Sequence, residues 1–312
     1  MFSNESRPDV GAEGHDRVRG DLFPMAVEGD PERTTWVLGV SANGEQHGRT
    51  TGYAYWTGGL GRAGLHARRR RAALARRRRR LLCRGTWPDV EHPLERRYVI
   101  GWMNNWAYAG ELPTSDWPGG VMSLPRELTL RDRDGALVLA SRPVGQLGRL
   151  EGAAIGTADA TVTAGSAKEV ALPDGDAFRL WMSLRQDPDG PVREARIRIA
   201  GSDGSFATVG YDFAREAVFL ARDADAAASG MPDEYRRIRT ERVATEDGAI
   251  RLDVIVDRSS IEVFTQDDVA AVSSLAFLGA GDRAVSVSSV GGGTVAERIS
   301  AAPLRVAAPE RW

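Results

Sequence analysis

The chain has one cysteine, Cys83, and one lysine, Lys168, among 312 residues. A single thiol excludes an intramolecular disulfide and any cysteine-based zinc site. No metal-ligand constellation is visible in the sequence, so no metal site and no cofactor are expected. No apolar run approaches the ~20 residues needed to cross a bilayer, so no membrane partner is expected. Residues 1–8, Met-Phe-Ser-Asn-Glu-Ser-Arg-Pro, lack the basic-then-apolar layout of a secretion signal. The expected location is therefore the cytoplasm, with secretion of a longer ancestral form left open.

Acidic residues outnumber basic ones only slightly, at 43 to 41, but the balance is uneven along the chain. Arg62–Arg84 contains eleven arginines and no acid, and without them 30 basic residues face 43 acidic ones, a balance of −13. Clustered arginine can neutralise phosphates and release counterions. The same alanine, leucine and arginine composition also suits a solvated, partly helical loop. Within an otherwise acidic protein the second reading outweighs the first, and no nucleic-acid partner is expected.

Length allows two domains of about 100–200 residues each, and the residue pattern is that of β-structure. Asp21-Leu-Phe-Pro-Met25 reads as a loop leading into a strand at Thr35–Val40. Further strands are predicted at Arg97–Trp102, Gly120–Leu124, Glu127–Leu130 and Ala136–Leu139, with a glycine turn at Arg131–Gly135. Beyond Arg149 the pattern continues at Phe178–Ser183, Ala195–Ile199, Val209–Phe213, Ala217–Leu220, Leu252–Val256, Ile261–Phe264 and Ala284–Val290. In Arg196-Ile-Arg-Ile199 the isoleucines fall on one face and the arginines on the other, as a half-buried sheet requires. Many short strands separated by turns indicate a sandwich or barrel.

Several words in this pattern carry a resemblance. Tyr98-Val-Ile-Gly-Trp-Met-Asn-Asn-Trp106, Pro113-Thr-Ser-Asp-Trp117 and Met122-Ser-Leu-Pro-Arg-Glu-Leu128 resemble the last propeller blade of glycoside hydrolase family 32, whose members cleave fructose from sucrose, levan and inulin. Leu252-Asp-Val-Ile-Val-Asp-Arg-Ser-Ser-Ile-Glu-Val-Phe264 resembles the signature of that family's C-terminal β-sandwich. The likeness covers roughly residues 20–57 and 86–308. It implies an all-β chain, with a partial five-bladed β-propeller over residues 1–140, a linker at 141–151 and a β-sandwich over 152–312.

The resemblance also offers a third reading of the arginine block, namely that residues 58–85 are translated out of frame. In a GC-rich gene a run of arginine codons reads as aspartate one base later. Back-translating Gly59–Gly85 with GC-leaning codons and shifting the frame yields Asp-Gly, Trp-Leu-Asp and Asp-Phe-Tyr-Ala in that order. The family carries these words just upstream of its Gly-Trp-Met word.

Retaining glycosidases place two carboxyl groups about 5–5.5 Å apart, one as nucleophile and one as acid/base. The resemblance implies a nucleophilic aspartate in Trp-Met-Asn-Asp-Pro-Asn-Gly, an aspartate in Arg-Asp-Pro and a glutamate in Glu-Cys-Pro-Asp. None of these words is present. Trp102-Met-Asn-Asn105 imitates the first, but Asn105 is a neutral amide; Gln186-Asp-Pro-Asp-Gly190 reads as a structural turn; Val18-Arg-Gly-Asp21 replaces the last. No catalytic residue is therefore assigned, and the chain, read as a truncated or damaged copy, is expected not to hydrolyse a fructosyl bond alone.

What remains implied is a substrate wall for a fructan or sucrose-type carbohydrate: Trp102 and Trp106 by stacking or as core, Asp21 as a hydroxyl acceptor or a turn residue, and Asn105 as a hydroxyl partner. Arg126 and Glu127 read as a structural ion pair, and Asp257, Arg258 and Glu262 as polar contacts of a hairpin. The competing function is a noncatalytic carbohydrate-binding sandwich. Oligomeric state is not legible.

Overall fold

The structure is a computed structural model and describes residues 19–42, 52–61, 64–67, 82–105, 107–113, 120–156, 159–187, 190, 193–224 and 228–305. The chain divides into two compact units, one of Met1–Met103 with Gly120–Val144 and one of Asn104–Gly119 with Gly145–Trp312. It therefore leaves the first unit after Met103 and returns to it at Gly120.

The first unit consists of two four-stranded antiparallel meanders. One runs β1 (Arg19–Val27), β2 (Asp30–Ala42), β3 (Gly52–Gly61) and β4 (Gly64–Ala67). The other runs β5 (Leu82–Pro88), β6 (Arg97–Trp102), β7 (Arg126–Arg133) and β8 (Ala136–Pro143). They meet through one parallel pairing, Val27 with Leu130. Four-stranded antiparallel sheets are the blades from which a propeller is built. Their shared core contains Phe23, Met25, Val37, Tyr53, Val99, Leu128, Leu130 and Leu139. At the β7–β8 hairpin, Asp134 and Gly135 adopt φ of 54° and 81°; two left-handed residues give the turn whose twist matches a two-residue hairpin.

Two local expectations change. Asp21–Met25 is not a loop but part of β1, paired from Arg19 to Val27 with β2. Gly120–Leu124 is not a strand; it makes one bridge, Met122 with Trp102, closed by Met103 N–H to Val121 O at 2.9 Å and Ser123 N–H to Gly101 O at 2.7 Å. Pro125 follows and has no N–H to extend the pairing.

Two antiparallel sheets make up the second unit. One has the order β10 (Ala160–Val162), β21 (Thr294–Pro303), β12 (Phe178–Gln186), β17 (Ala249–Asp257), β18 (Ser260–Thr265), β19 (Ala271–Leu275), with β9 (Ile155–Gly156) also on β21. The other runs β11 (Ala167–Val170), β20 (Ala284–Val290), β13 (Glu194–Ala200), β14 (Phe206–Asp212), β15 (Ala217–Ala224), β16 (Arg239–Arg242). Alternate residues of the two sheets form one apolar core, with Phe178, Leu180, Met182 and Leu184 from β12 and Ile197 and Ile199 from β13. This is the sandwich of two sheets about one core that period-2 patterning produces. Arg196 and Arg198 point away from that core, as their parity requires. A four-residue helix, α1 (Asp233–Arg236), precedes β16.

Candidate functional site

Within the first unit, β1, β5 and β6 bring Asp21, Thr86 and Arg97 together. Arg97 has the same parity on β6 as Val99 and Gly101, so it points inward, and it is only 8% exposed. Burying a guanidinium is costly unless its N–H groups are satisfied. Here Nε and Nη2 donate to Thr86 Oγ1 at 3.0 and 2.9 Å, and Nη2 also reaches the Thr86 carbonyl at 3.3 Å. The Phe23 ring lies under the guanidinium, 4.1 Å from Cζ. Burial draws the Arg97 pKa below its ordinary value, against the opposing charge of Asp21.

Thr86 is the pivot of the cluster. A hydroxyl has one proton and two lone pairs; Thr86 accepts from Arg97 and gives its proton to Asp21 Oδ2. The same carboxylate oxygen stands 3.7 Å from Arg97 Nη2. Asp21 Oδ1 makes no hydrogen bond among the described residues, and the side chain is 32% exposed. The carboxylate is thus anchored by one oxygen and open at the other, an arrangement able to accept a hydroxyl proton from a ligand.

Trp102 ends β6, half-buried, across from Leu82 in the β5–β6 register. Asn105 belongs to the second unit and is 5% exposed. Its Oδ1 accepts the Ala107 N–H at 3.0 Å, an Asx turn, and its carbonyl accepts the Tyr108 N–H at 3.1 Å. Asn104 Oδ1 supports the same bend by accepting the Asn105 N–H at 2.8 Å. Asn105 Nδ2 makes no hydrogen bond among the described residues and remains a donor. Trp106 lies outside the described residues, as do Arg68–Arg71 and Arg76–Arg80 of the arginine block.

Four other acids of the first unit are committed elsewhere. Glu28 pairs with Arg131, Asp132 with Arg33, and Glu127 with Arg142 opposite it on β8. Asp89 accepts Tyr98 Oη at 2.5 Å and the His92 and Glu91 N–H groups at 2.8 and 3.0 Å. Those hydrogen bonds, the Tyr98 one foremost, hold the Asp89 carboxyl below the usual range, and Arg33 does the same to Asp132. A general acid needs the opposite shift, so neither can protonate a leaving group at neutral pH. Of the hairpin residues, Asp257 Oδ1 accepts the Arg258 N–H at 2.8 Å, Arg258 pairs with Asp176 at 3.3 Å, and Glu262 is buried at 3.2 Å from Ser273 Oγ.

Thr86 and Arg97 were not singled out by sequence. The available signal was parity: a charged residue at position 97 in phase with the apolar Val99 of a predicted strand.

Residues 20–141 match the family described as Glycosyl hydrolases family 32 N-terminal domain, and residues 148–303 match Glycosyl hydrolases family 32 C terminal. A levanase of Bacillus subtilis (strain 168) is 25% identical over 308 residues, covering 97% of this chain and 45% of that protein. A levanbiose-producing levanase of the same strain is 28% identical over 285 residues, covering 87% of this chain and 52% of that protein. Among solved structures, the exo-inulinase of Aspergillus awamori superposes with a TM-score of 0.73 at 20% identity, covering 93% of this chain and 56% of the inulinase. The chain spans about half the length of these relatives. The likeness bears out the all-β architecture of propeller blades followed by a sandwich.

Proposed function

The chain belongs to glycoside hydrolase family 32, and from that premise we propose that it supplies a substrate wall and the sandwich of an enzyme hydrolysing β-fructofuranosyl bonds in fructan or sucrose-type carbohydrates. The observation that carries this reading is the half-anchored carboxylate of Asp21, with Oδ2 tied to Thr86 and Oδ1 open. In it, Asp21 Oδ1 accepts a fructosyl hydroxyl and Trp102 lines the wall within the first unit, while Asn105, in the second unit, offers its Nδ2 as a donor to a sugar oxygen. Residues 1–140 provide propeller blades, 141–151 the linker and 152–312 the sandwich; the gap between the two family matches, after 141 and before 148, supports this division.

The chain binds and orients but does not turn over. Retaining hydrolysis requires a nucleophilic carboxylate and a second carboxyl that first gives and then recovers a proton. The sequence words that would supply them are absent, and Asn105 cannot attack an anomeric carbon. The test is to incubate the purified 312-residue chain with levan, inulin and sucrose, measuring free fructose, and to titrate it with an inulin-type fructosyl trisaccharide by calorimetry. Expected are no fructose release and measurable binding that Asp21→Ala weakens about tenfold, the ~1.4 kcal/mol of one hydrogen bond to a charged group. Fructose release would refute the absence of turnover, and binding indifferent to Asp21→Ala would refute the pocket wall.

The arginine block is part of the same proposal, as a stretch read out of frame. Its downstream end coincides with the register shift between Cys83 and Gly85 in the β5–β6 pairing. Resequencing the gene from upstream of Met1 through the codon for Trp87 tests it; a confirmed Arg-rich reading with no compensating lesions at either end would refute it.

A further inference from the structure

In the second unit, Tyr108 of the segment after Met103 is held by a buried arginine. Arg222, in phase on β15 with the buried Val218 and Leu220, is 1% exposed. Its Nε donates to the Tyr235 carbonyl at 2.8 Å, Nη1 to the Leu275 carbonyl at 2.7 Å and Nη2 to Tyr108 Oη at 2.9 Å. Its Cζ lies 3.6 Å from the Tyr235 ring centroid and 5.1 Å from that of Tyr108. The two tyrosines meet edge-on, 5.2 Å apart at 81°. Met231 packs with them, and Ala107, Leu112 and Phe277 close the cluster.

No carboxylate among the described residues neutralises this guanidinium. A buried charge without a counterion is destabilising compared with an apolar side chain of the same size. Here three neutral oxygens and two ring faces offset that cost. Two of the three hydrogen bonds and one ring hold β15 to α1 and β19, which a plain apolar contact could also do. The remaining bond and ring hold Tyr108, three residues beyond Asn105. The Tyr108 N–H bonds the Asn105 carbonyl at 3.1 Å, and the Glu111 N–H bonds the Tyr108 carbonyl at 3.0 Å. Fixing Tyr108 therefore fixes the bend that aims Asn105.

We propose that Arg222 is a positioning residue, a buried cationic latch through which the sandwich sets the geometry of the 104–113 loop and hence of Asn105. Its consequence for sugar binding rests on the pocket-wall reading above; its mechanical part does not.

The full chain is compared with Arg222→Met, Arg222→Lys, Tyr108→Phe and Asn105→Ala. Amide hydrogen exchange is followed in 103–113 and in β12 and β17, and affinity for the fructosyl trisaccharide is measured by calorimetry. Arg222→Met is expected to speed exchange at Tyr108 and Glu111 at least tenfold, leave β12 and β17 unchanged and weaken binding about tenfold. Tyr108→Phe gives about threefold in each, and Arg222→Lys recovers part of the loss. Should Arg222→Met fail to fold, Tyr108→Phe decides: faster loop exchange with an unchanged sandwich supports the latch, and unchanged loop exchange overturns it. A freed loop with unaltered sugar affinity overturns the positioning role. If the unaltered chain binds no trisaccharide, the pocket wall fails while loop exchange still decides the latch.

Discussion

Replacing Asp21 tests whether the cluster on β1, β5 and β6 is a single coupled unit. Asp21→Ala removes the acceptor of the Thr86 hydroxyl and the carboxylate 3.7 Å from Arg97, whose guanidinium stays buried against Phe23. Losing a hydrogen bond to a charged group costs about 1.5–3 kcal/mol. The ion-pair contribution is smaller, because the Asp21 side chain is 32% exposed and solvent screens it to about 1 kcal/mol or less. The sum runs from about 1.5 to 4 kcal/mol, centred on about 2–3 kcal/mol, roughly a 10 °C loss for a cooperative unit of this size. Asp21→Asn keeps an acceptor and loses only charge, so about 1 kcal/mol is expected. Thr86→Val preserves shape but removes the hydroxyl serving both partners, again about 2–3 kcal/mol. Because both variants break the same hydrogen bond, the double variant should cost about 3 kcal/mol rather than the sum of about 4–6 kcal/mol, a coupling of about 1–3 kcal/mol. Hydrogen exchange of β5 and β6 peptides against denaturant reads the first unit separately from the second. Strictly additive losses, or a cost below ~0.5 kcal/mol for Asp21→Ala, would refute the shared-hydroxyl argument.

Tyr211 donates its hydroxyl to the Val243 carbonyl at 2.7 Å, and burial, followed by the charges of Glu216 and Asp212, pushes its pKa up to about 12. A raised phenol pKa means stability present below the unfolded value of 10.0 and lost as pH rises toward about 12; in a phenolate absorbance titration Tyr211→Phe should delete a component ionising well above the ordinary tyrosine value. For the Asp89–Tyr98 hydrogen bond the carboxyl is lowered and the phenol raised. Its contribution is therefore full between the ordinary values of 3.8 and 10.0, and fades only as pH falls below the first or climbs above the second; Tyr98→Phe should narrow that plateau at its acid end, read as exchange of residues 89–97 against pH. In Gly210→Ala the new Cβ would lie 2.5 Å from the Ala195 carbonyl oxygen and 2.4 Å from the Phe219 ring. Backbone on one side and a packed ring on the other leave it little room, so a loss of about 1–3 kcal/mol is expected in sandwich unfolding, and an unchanged midpoint would show that β14 and β15 relax freely.

The sandwich was the legible part of the sequence, because its strands bury one face and water wets the other. Arg196-Ile-Arg-Ile199 settled which side chains of β13 enter the core, and the structure places Ile197 and Ile199 there. β1 was misread because Gly20, Asp21 and Pro24 look like loop residues. Its context explains how they fit: β2 pairs along its whole length, whereas β7 meets it only at Val27. A proline is tolerated in a strand whose second edge pairs little among the described residues. That pairing is a property of the sheet, invisible in a window of nine residues.

The site was less legible for a related reason. Acids and aromatics are the residues that mark a sugar site in a sequence, whereas the parts that hold Asp21 and Asn105 in place are a threonine and two arginines. Composition gives no hint of them in a chain with 40 arginines. Parity does. Arg196 and Arg198 alternate with buried isoleucines and face outward, as a solvated arginine should. Arg97 keeps step with Val99, and Arg222 with Val218 and Leu220, so each is driven into the interior by its neighbours. A charged side chain on the apolar parity of a strand must find hydrogen-bond partners there, and the partners it finds belong to other elements. Arg97 reaches Thr86 on β5, and Arg222 reaches Tyr108 in the 104–113 loop. These two arginines on the apolar parity thus join elements through neutral partners, and the elements they join include those carrying Asp21 and Asn105.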